Sequence, residues 1–464
     1  MSQGCNLYEN SHNLNFGGKD VLNRNQKQLT MFFATLILTI ATVFSGFTMK
    51  AEAAEDQLGI EAEAAILVDA ESGKVLYEKN SDVVLGVASM SKMMTEYMVL
   101  EAIKKGKLQW DQKVKINEYV HKLSAAPELS NVGLTQGEDY TVKELYQAMA
   151  IHSGNAATVA LAEVLSGTEK NHVEKMNKKA VELGLKDVKF VNSTGLNNKD
   201  LLGKHPAGNP DEENVMTARS LAKLAYRLLK EYPEVLETAS MPSLKFRDGR
   251  EYKNFNWMLP ELIFPYDGVD GLKTGSTDFA GYGFTATAMR NGQRYISVVM
   301  KADSKDSRFA ETRKILDYAF NNFTKEELVK KNYQLKSKKT IPVTKGKEDK
   351  VKIHSKDSIT MAVKNGEKDQ YVPVLVLDKK KLNENGELTA PIKKGEQVGY
   401  MTVKSKKGDN ISFLTEDGQK EIQVPVVAAE SVEKANWFVL MMRGIGGFFG
   451  DLFGGIADTV KGLF

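Results

Sequence analysis

Two pairs of short apolar segments predict β-hairpins in separate parts of the chain. Ala64 to Asp69 and Val75 to Glu78 are joined by a turn-like Glu-Ser-Gly-Lys sequence. Tyr282 to Met289 and Tyr295 to Met300 are joined by Asn291-Gly292, a strong signal for a tight hairpin turn. Because the two hairpins come from opposite ends of one region, we expect them to join in a single antiparallel sheet.

Between the two hairpins the apolar positions follow a helical period. They recur at three- and four-residue steps near residues 89–104, 142–165, 169–183 and 217–231. A further amphipathic helix is predicted over Ser307 to Phe323, where it would close the domain. The pattern therefore predicts an α/β (α+β) domain in which an antiparallel sheet is combined with helices.

From about residue 334 the pattern changes to short strands separated by turn signals, which predicts a separate all-β sandwich domain over residues 334–428. The predicted strands are Thr340 to Val343, Val351 to His354, Ile359 to Val363, Tyr371 to Leu377, Gln397 to Val403, Ile411 to Leu414 and Ile422 to Val427. The same region is rich in lysine: Lys336, Lys338, Lys339, Lys345, Lys347, Lys350 and Lys352. A solvated basic face is the preferred interpretation, and a site for anionic wall or membrane polymers is the alternative.

The last residues, 430–464, have the pattern of an amphipathic helix that lies in a membrane interface. Phe438, Phe448, Phe449 and Phe453 fall on one apolar side, together with several Leu, Ile, Val and Met residues at three- and four-residue steps. Glycines weaken the isolated helix by up to about 1 kcal/mol each, so it needs a membrane or a partner to stabilise it. A helix packed on its own domain is the alternative.

The first 53 residues read as an export leader. Lys19, Arg24 and Lys27 precede the apolar stretch Met31 to Phe47, and Ala51-Glu52-Ala53 offers small residues at a cleavage site. The pattern predicts an exported protein, and an uncleaved anchor is the alternative because the apolar stretch approaches the length of a membrane span.

The composition of the chain excludes several classes of function. The 63 basic and 60 acidic side chains of the 464-residue chain nearly cancel, which argues against nucleic-acid binding. The one cysteine, Cys5, precedes the first apolar stretch, so the exported chain would have no disulfide, thiol nucleophile or cysteine metal site. The six histidines form no ligand-spaced cluster, so we predict neither a metal nor a cofactor. Of these histidines, only His152 adjoins a motif described next.

Three motifs follow one another along the chain: Ser89-Met90-Ser91-Lys92, Ser153-Gly154-Asn155 and Lys273-Thr274-Gly275. None is specific alone, but the set in this order is the signature of penicillin-binding proteins and class A β-lactamases. The signature has aspartate in place of Gly154, a position that supplies neither the hydroxyl nor the amide.

The residue types suit acyl transfer without histidine. A serine needs a neighbouring base, and Lys92 lies on the same helical face as Ser89. Lys92 can accept a proton only if burial or a second cation, such as Lys273, lowers its pKa. Ser153 can relay a proton, and Asn155 can both donate and accept hydrogen bonds.

The third motif is suited to holding a substrate. A strand that begins at Lys273 can pair edge-on with an extended peptide, and Lys273 with Thr274 can attract a terminal carboxylate. Gly275 would let the substrate approach the backbone closely.

The motifs and their surroundings resemble those of the serine-type D-alanyl-D-alanine carboxypeptidases, which are low-molecular-mass penicillin-binding proteins. Ala88 to Lys92, Asn192-Ser193-Thr194-Gly195-Leu196 and Gly268 to Gly275 carry the resemblance over residues 60–325. It implies a penicillin-binding/β-lactamase-like transpeptidase fold, in which an antiparallel sheet has flanking helices and an inserted helical subdomain, with Ser89 where the sheet meets that subdomain.

The resemblance also implies a role for each site residue. Ser89 would be the acylated nucleophile, Lys92 the proton acceptor, and Ser153 and Asn155 relay and positioning groups. Lys273 and Thr274 would bind the substrate carboxylate next to Gly275. The backbone amides of Ser89 and Ser276 would form an oxyanion hole.

We therefore predict an exported carboxypeptidase that removes the terminal D-alanine from peptidoglycan pentapeptides and is acylated by β-lactam antibiotics. It would lie on the outer face of the bacterial cytoplasmic membrane, held there by residues 430–464. A β-lactamase is the first alternative, although no Glu-x-x-Leu-Asn segment occurs between Ser153 and Lys273. A catalytically idle envelope scaffold is the second, although it has no chemical need for both hydroxyls and both lysines.

Overall fold

The computed structural model describes residues 56–442 except 409 and 416. The predicted leader, 1–53, and residues 443–464 of the predicted terminal helix lie outside the described residues. The described strands, β1 to β19 in chain order, are Ala62–Asp69, Val75–Lys79, Val84–Gly86, Lys113–Lys115, Asp139–Thr141, Val215–Thr217, Ser243–Lys245, Glu251–Lys253, Val269–Thr277, Gly281–Arg290, Gln293–Ala302, Phe323–Val329, Thr340–Thr344, Lys350–Ser355, Ile359–Lys364, Tyr371–Leu377, Leu388–Thr389, Gln397–Ser405 and Val424–Ala428.

Helices fill much of the region between the two predicted hairpins. The α-helices are Lys92–Lys104, Glu118–Ser124, Val142–His152, Asn155–Ser166, Glu169–Glu182, Ala218–Glu231, Val235–Ala239, Ser307–Asn322 and Gly418–Glu421. Short 3₁₀ turns occur at Ala88–Ser91, Asn198–Asp200, Lys368–Gln370 and Lys379–Lys381.

Both predicted hairpins join in one antiparallel sheet, in the order β2-β1-β11-β10-β9. The register pairs Ile66 with Val298 and Thr285 with Lys273. Strand β1 is apolar at nearly every position because both faces of the sheet are covered. The Ala218–Glu231 helix packs on one face and the Ser307–Asn322 helix on the other. Strand β9, which carries the third motif, lies at the edge of the sheet.

The β-rich domain is built around a six-stranded sheet, in the order β16-β18-β19-β14-β13-β17. A separate two-stranded sheet pairs β12 with β15. The turn between β1 and β2 reaches this domain, because the buried Lys74 Nζ donates to Tyr371 Oη at 2.8 Å and to the carbonyl of Ala362 at 3.0 Å. The predicted fold is confirmed: an antiparallel sheet with helices, followed by a β-rich domain.

Three local predictions differ from the structure. The apolar run over 142–165 forms two helices, because Ser153 adopts a left-handed backbone with φ of 56°. Strand β12 begins at Phe323, before the predicted start at 334, because its charged sequence gains strand geometry only by pairing with β15. Residues 411–414 form no strand; Phe413 makes a single bridge to Lys74.

The described part of the terminal helix begins at residue 437 rather than at 430. The residues before it pair with the β-rich domain, where Val432 bridges to Ile392 and Lys434 bridges to Gly346. Trp437, Phe438, Met441 and Met442 are exposed. Over the described ranges, every helix is too short or too polar to cross a membrane.

Candidate active site

The first motif forms a 3₁₀ turn, Ala88–Ser91, that leads directly into the Lys92–Lys104 helix. Ala88 has a positive φ of 46°, and Ser91 Oγ donates to its carbonyl at 2.7 Å. This tight turn places Ser89 Oγ 2.7 Å from Lys92 Nζ, as the spacing of three residues predicts.

Lys92 is fully buried and its amine touches two further oxygens. Its Nζ lies 2.9 Å from Asn155 Oδ1 and 2.6 Å from the backbone carbonyl of Thr194. Burial, followed by the positive charge of Lys273, lowers the pKa of Lys92 well below its usual value, and Glu96 opposes this shift. The amine is thereby poised to exist in its neutral form, which can accept a proton.

The second motif lies at the break between the Val142–His152 and Asn155–Ser166 helices. The left-handed Ser153 ends the first helix, and Asn155 begins the second. Asn155 donates to the carbonyl of Ser130 from both its backbone nitrogen and Nδ2, each at 3.0 Å. Because Nδ2 is engaged there, Oδ1 faces Lys92. The helix break therefore directs both polar side chains of the motif into the site.

The third motif brings a second buried lysine. Lys273 Nζ donates to Ser153 Oγ at 3.0 Å, so the two predicted groups lie side by side. Burial lowers the pKa of Lys273 to about 8; Glu96 raises it, and Arg308 lowers it further. The site therefore contains two lysines whose proton affinities are both reduced.

Gly275 is also required by packing within the protein, a reason that was not predicted from the sequence. A Cβ at this position would lie 2.7 Å from the carbonyl oxygen of Val87 and 3.0 Å from the backbone nitrogen of Ser89. Such contacts are too close for a side chain, so glycine lets β9 pack directly against the Ala88–Ser91 turn that carries Ser89, here called the nucleophile turn. Packing of the protein therefore requires a residue without a side chain at position 275, whether or not substrate also approaches there.

An open cleft of about 210 Å³ unites the predicted residues. Its lining comprises Ser89, Glu128, Leu129, Ser130, Ser153, Asn155, Leu196, Phe255, Thr274, Gly275, Ser276, Lys305 and Arg308. Lys92 and Lys273 are buried beside this cleft and reach it through Ser89 and Ser153. Thus all eight predicted site residues line the cleft or contact a residue that does.

Sequence reasoning missed three groups at the site: Glu96, the Thr194 carbonyl and Arg308. Glu96 is buried one helical turn after Lys92, and burial raises its pKa to about 7 while both lysines lower it. A charged residue within an otherwise apolar helical run was the available signal. Arg308 is also buried, and burial lowers its pKa to about 10. Arg308 has no local sequence signal, whereas Thr194 lies in the Asn192 to Leu196 segment that carried the resemblance, although no role was predicted for its carbonyl.

Over the residues that the structure describes, no group of three or more His, Cys, Asp or Glu side chains is arranged to hold a metal ion. The reactive groups in the cleft are hydroxyls, amines and an amide. A half-buried serine beside a fully buried lysine is the arrangement expected of a serine acyl-transfer site.

Comparisons with known proteins agree with that class. A family profile described as D-alanyl-D-alanine carboxypeptidase matches residues 49–304, and one for the C-terminal domain of penicillin-binding protein 5 matches residues 323–434. The D-alanyl-D-alanine carboxypeptidase DacF of Bacillus subtilis is 34% identical over 417 residues, which cover 90% of this chain and 97% of the relative.

Two solved structures are similar over most of the chain. A peptidoglycan synthesis regulatory factor (PBP3) from Streptococcus pneumoniae is 34% identical, with a TM-score of 0.69 over 81% of this chain and 100% of that one. Penicillin-binding protein 5 from Haemophilus influenzae is 28% identical, with a TM-score of 0.64 over 81% of this chain and 98% of that one. The chain belongs to the D-alanyl-D-alanine carboxypeptidase family of serine peptidases.

Proposed function

We propose that this protein is a serine D-Ala-D-Ala carboxypeptidase that removes the terminal D-alanine from peptidoglycan stem pentapeptides through an acyl-enzyme on Ser89. The observation that carries the proposal is the buried Lys92 amine 2.7 Å from Ser89 Oγ, in a cleft bordered by the edge strand β9. The family membership and the similarity to a penicillin-binding protein support the same substrate class and acylation by penicillins.

The first step is acylation. The neutral Lys92 amine takes the Ser89 hydroxyl proton as Oγ bonds to the carbonyl carbon of the penultimate D-alanine. The electron pair of the carbonyl moves to its oxygen, where the backbone amides of Ser89 and Ser276 would stabilise it by about 3 kcal/mol. When the tetrahedral intermediate collapses, its carbon–nitrogen bond breaks, and Ser153, next to Lys273, would relay the proton taken up by Lys92 to the nitrogen of the departing D-alanine. Water then hydrolyses the ester and releases the shortened peptide.

Substrate binding would use the edge of the sheet. The free side of β9 can pair with an extended peptide, while Lys273 and Thr274 attract its terminal carboxylate. The buried Arg308 lines the same cleft and adds a further positive charge. This arrangement favours a peptide with a single residue after the scissile bond, as the substrate of a carboxypeptidase has.

Mass spectrometry tests this function directly. After incubation with penicillin, we expect a covalent adduct on Ser89, and with a peptide ending in D-Ala-D-Ala we expect release of one D-alanine. Ser89→Ala should lose both reactions, whereas Ser91→Ala leaves the reactive hydroxyl in place. An adduct on Ser91 or Ser153, or cleavage of the β-lactam with no release of D-alanine, contradicts the proposal.

We further propose that the protein is exported and associates peripherally with the outer face of the cytoplasmic membrane through residues 430–464. Support comes from the helical residues 437–442, where Trp437 and Phe438 are 74% and 53% exposed. Apolar side chains at such exposure favour an interface, and their burial contributes roughly 1.5–3 kcal/mol each.

Vesicle sedimentation tests this attachment. A protein beginning at Ala54 should bind phosphatidylglycerol–phosphatidylethanolamine vesicles at low and high salt, and removal of everything after residue 436 should release it with peptide activity intact. Trp437→Ser with Phe438→Ser should weaken binding, whereas Leu202→Ser, an exposed apolar control in the catalytic region, should not. Vesicle binding that is unchanged by removal of the tail contradicts the proposal.

A further inference from the structure

The turn Asn192-Ser193-Thr194-Gly195, here called the 192–195 turn, packs against the back of the nucleophile turn. A Cβ on Gly195 would lie 1.9 Å from the carbonyl oxygen of Ala88, so the two turns are in direct backbone contact. The side chains of Asn192, Ser193 and Thr194 are completely buried. The motif therefore has a precise position, although the mechanism above assigns it no role.

The contact that matters is the 2.6 Å approach of the Thr194 carbonyl to Lys92 Nζ. A neutral amine has two N–H bonds and one lone pair. Two of its three neighbours, the Thr194 carbonyl and Asn155 Oδ1, are oxygens that can only accept hydrogen bonds. When both N–H bonds point to these oxygens, the lone pair must point to the third neighbour, Ser89 Oγ. That neighbour carries the proton that Lys92 has to remove.

Buried side chains hold the Thr194 carbonyl in place. Asn192 Oδ1 accepts from the backbone nitrogens of Thr194 at 3.1 Å and of Gly195 at 2.7 Å. Asn214 Nδ2 donates to the carbonyl of Asn192 and to Ser91 Oγ, both at 2.9 Å, and so links the 192–195 turn to the nucleophile turn. The network is saturated, which favours one conformation of the turn.

Glu169 anchors the turn from a different helix. Its Oε1 accepts from the backbone nitrogen of Ser193 at 3.0 Å and from Ser193 Oγ at 2.6 Å, and the residue is only 7% exposed. A buried carboxylate is costly unless it is satisfied by donors. Glu169 binds Ser193, the residue directly before Thr194. This indicates that the contact stabilises the position of the Thr194 carbonyl.

We propose that Glu169 and Asn192 are positioning residues for acylation: they hold the Thr194 carbonyl so that the neutral Lys92 amine directs its lone pair at Ser89. The inference rests on the proposed function of Ser89 and Lys92. Neither positioning residue lines the cleft, and both act through the Thr194 carbonyl.

The test compares Glu169→Ala with Glu169→Gln. Glutamine keeps an oxygen acceptor for Ser193 but removes the charge, whereas alanine removes both. We measure the acylation rate constant and the noncovalent dissociation constant for penicillin across pH, with thermal unfolding as a check of folding. Glu169→Ala should acylate about tenfold more slowly with an unchanged dissociation constant, which corresponds to about 1.4 kcal/mol of lost transition-state stabilisation. Glu169→Gln should stay within about twofold of the unmodified protein.

The pH profile separates positioning from a general structural role. An ammonium bonds to a carbonyl more strongly than a neutral amine does, so a displaced Thr194 carbonyl lowers the pKa of Lys92. The acid limb of the Glu169→Ala profile should therefore move to lower pH. Lys273 on β9 and Glu96 on the same helix, the charged groups that act on Lys92, are unchanged in this variant. A purely structural defect would lower the rate equally at every pH.

Several outcomes would overturn the inference: normal acylation by Glu169→Ala, equal losses in both Glu169 variants, or a uniform loss across pH. If Glu169→Ala does not fold, Ser193→Ala, which removes one of the two donors, should lower the same rate constant by about threefold, and a normal rate in that variant also overturns it. The unmodified protein, assayed in parallel, tests the proposed function separately, because its acylation at Ser89 does not depend on the outcome for the variants.

Discussion

The candidate active site and the β-rich domain both contain lysines, but the two groups differ in their surroundings. Lys92 and Lys273 are 0% and 3% exposed, and burial lowers the pKa of each. The lysines of the β-rich domain between residues 336 and 352 are all exposed. The comparison shows that desolvation, rather than the residue type, converts an ordinary cation into a candidate base.

Neighbouring charges sharpen this difference. In the active site, Lys273 and Glu96 act on the pKa of Lys92 in opposite directions, across a medium that screens poorly. In the β-rich domain, Lys347 pairs with Glu433 at the surface, where water and salt weaken the interaction. Substitutions should therefore have large effects on chemistry at the first site and small effects at the second.

The largest expected effect comes from Lys92→Arg. Arginine keeps the positive charge but does not act as a base at accessible pH, so the acylation rate constant should fall by about 10³-fold. Rapid-quench measurement with penicillin gives this constant, and Lys352→Arg at an exposed position is the matched control. A loss of less than tenfold would mean that another group removes the Ser89 proton.

Lys273→Ala should have the next largest effect. Loss of a charged partner for the substrate carboxylate should lower kcat/KM on a D-Ala-D-Ala peptide by about 30-fold. The positive charge of Lys273 lowers the pKa of Lys92, so its removal raises that pKa and moves the acid limb of the pH profile to higher pH.

An amidated peptide provides the control for Lys273. Because the amidated peptide has no terminal carboxylate, Lys273→Ala should lower the turnover of this peptide less than it lowers the turnover of the free acid. Equal turnover of the acid and the amide by the unmodified protein would contradict a role for Lys273 in carboxylate recognition.

Glu96→Gln should shift the pH profile in the opposite direction. The negative charge of Glu96 raises the pKa of both lysines, so its removal lowers both pKa values and moves both limbs of the profile to lower pH. The rate at the optimum should change by less than about threefold. Glu101→Gln, in the same helix but at an ion pair with Lys105, should leave the profile in place. An unchanged profile would show that Glu96 is neutral when Lys92 reacts, and a shift to higher pH would contradict the direction of its effect on the two lysines.

The smallest effect is expected in the β-rich domain. The combined substitutions Lys336→Gln, Lys338→Gln and Lys339→Gln should leave turnover of a soluble peptide unchanged and the free energy of unfolding within about 0.5 kcal/mol. Chemical denaturation and a peptide assay measure both quantities. A substantial loss of turnover would mean that this surface influences the cleft, and the contrast between the two lysine groups would fail.

Local patterns in the sequence predicted much of the secondary structure and the candidate site. Asn291-Gly292 identifies the β10–β11 hairpin because its residues favour the positive φ values of a tight turn, 51° and 76° here. The three-residue spacing predicted the contact between Ser89 and Lys92 because both lie on one helical face. By contrast, β12 has a charged sequence that does not predict a strand, and it becomes one only by pairing with β15.

By itself, the sequence determined the chemical groups of the site, their order along the chain and the two kinds of domain, because these depend on residue type and local periodicity. Only the tertiary structure decided which of these groups lie close to one another. It turned the chain at Ser153 so that Asn155 faces Lys92, and it brought Lys273, Glu96 and the Thr194 carbonyl around the same buried amine. The physical reason is that pKa values and lone-pair directions depend on desolvation and on oriented neighbours from distant segments, which no local pattern encodes.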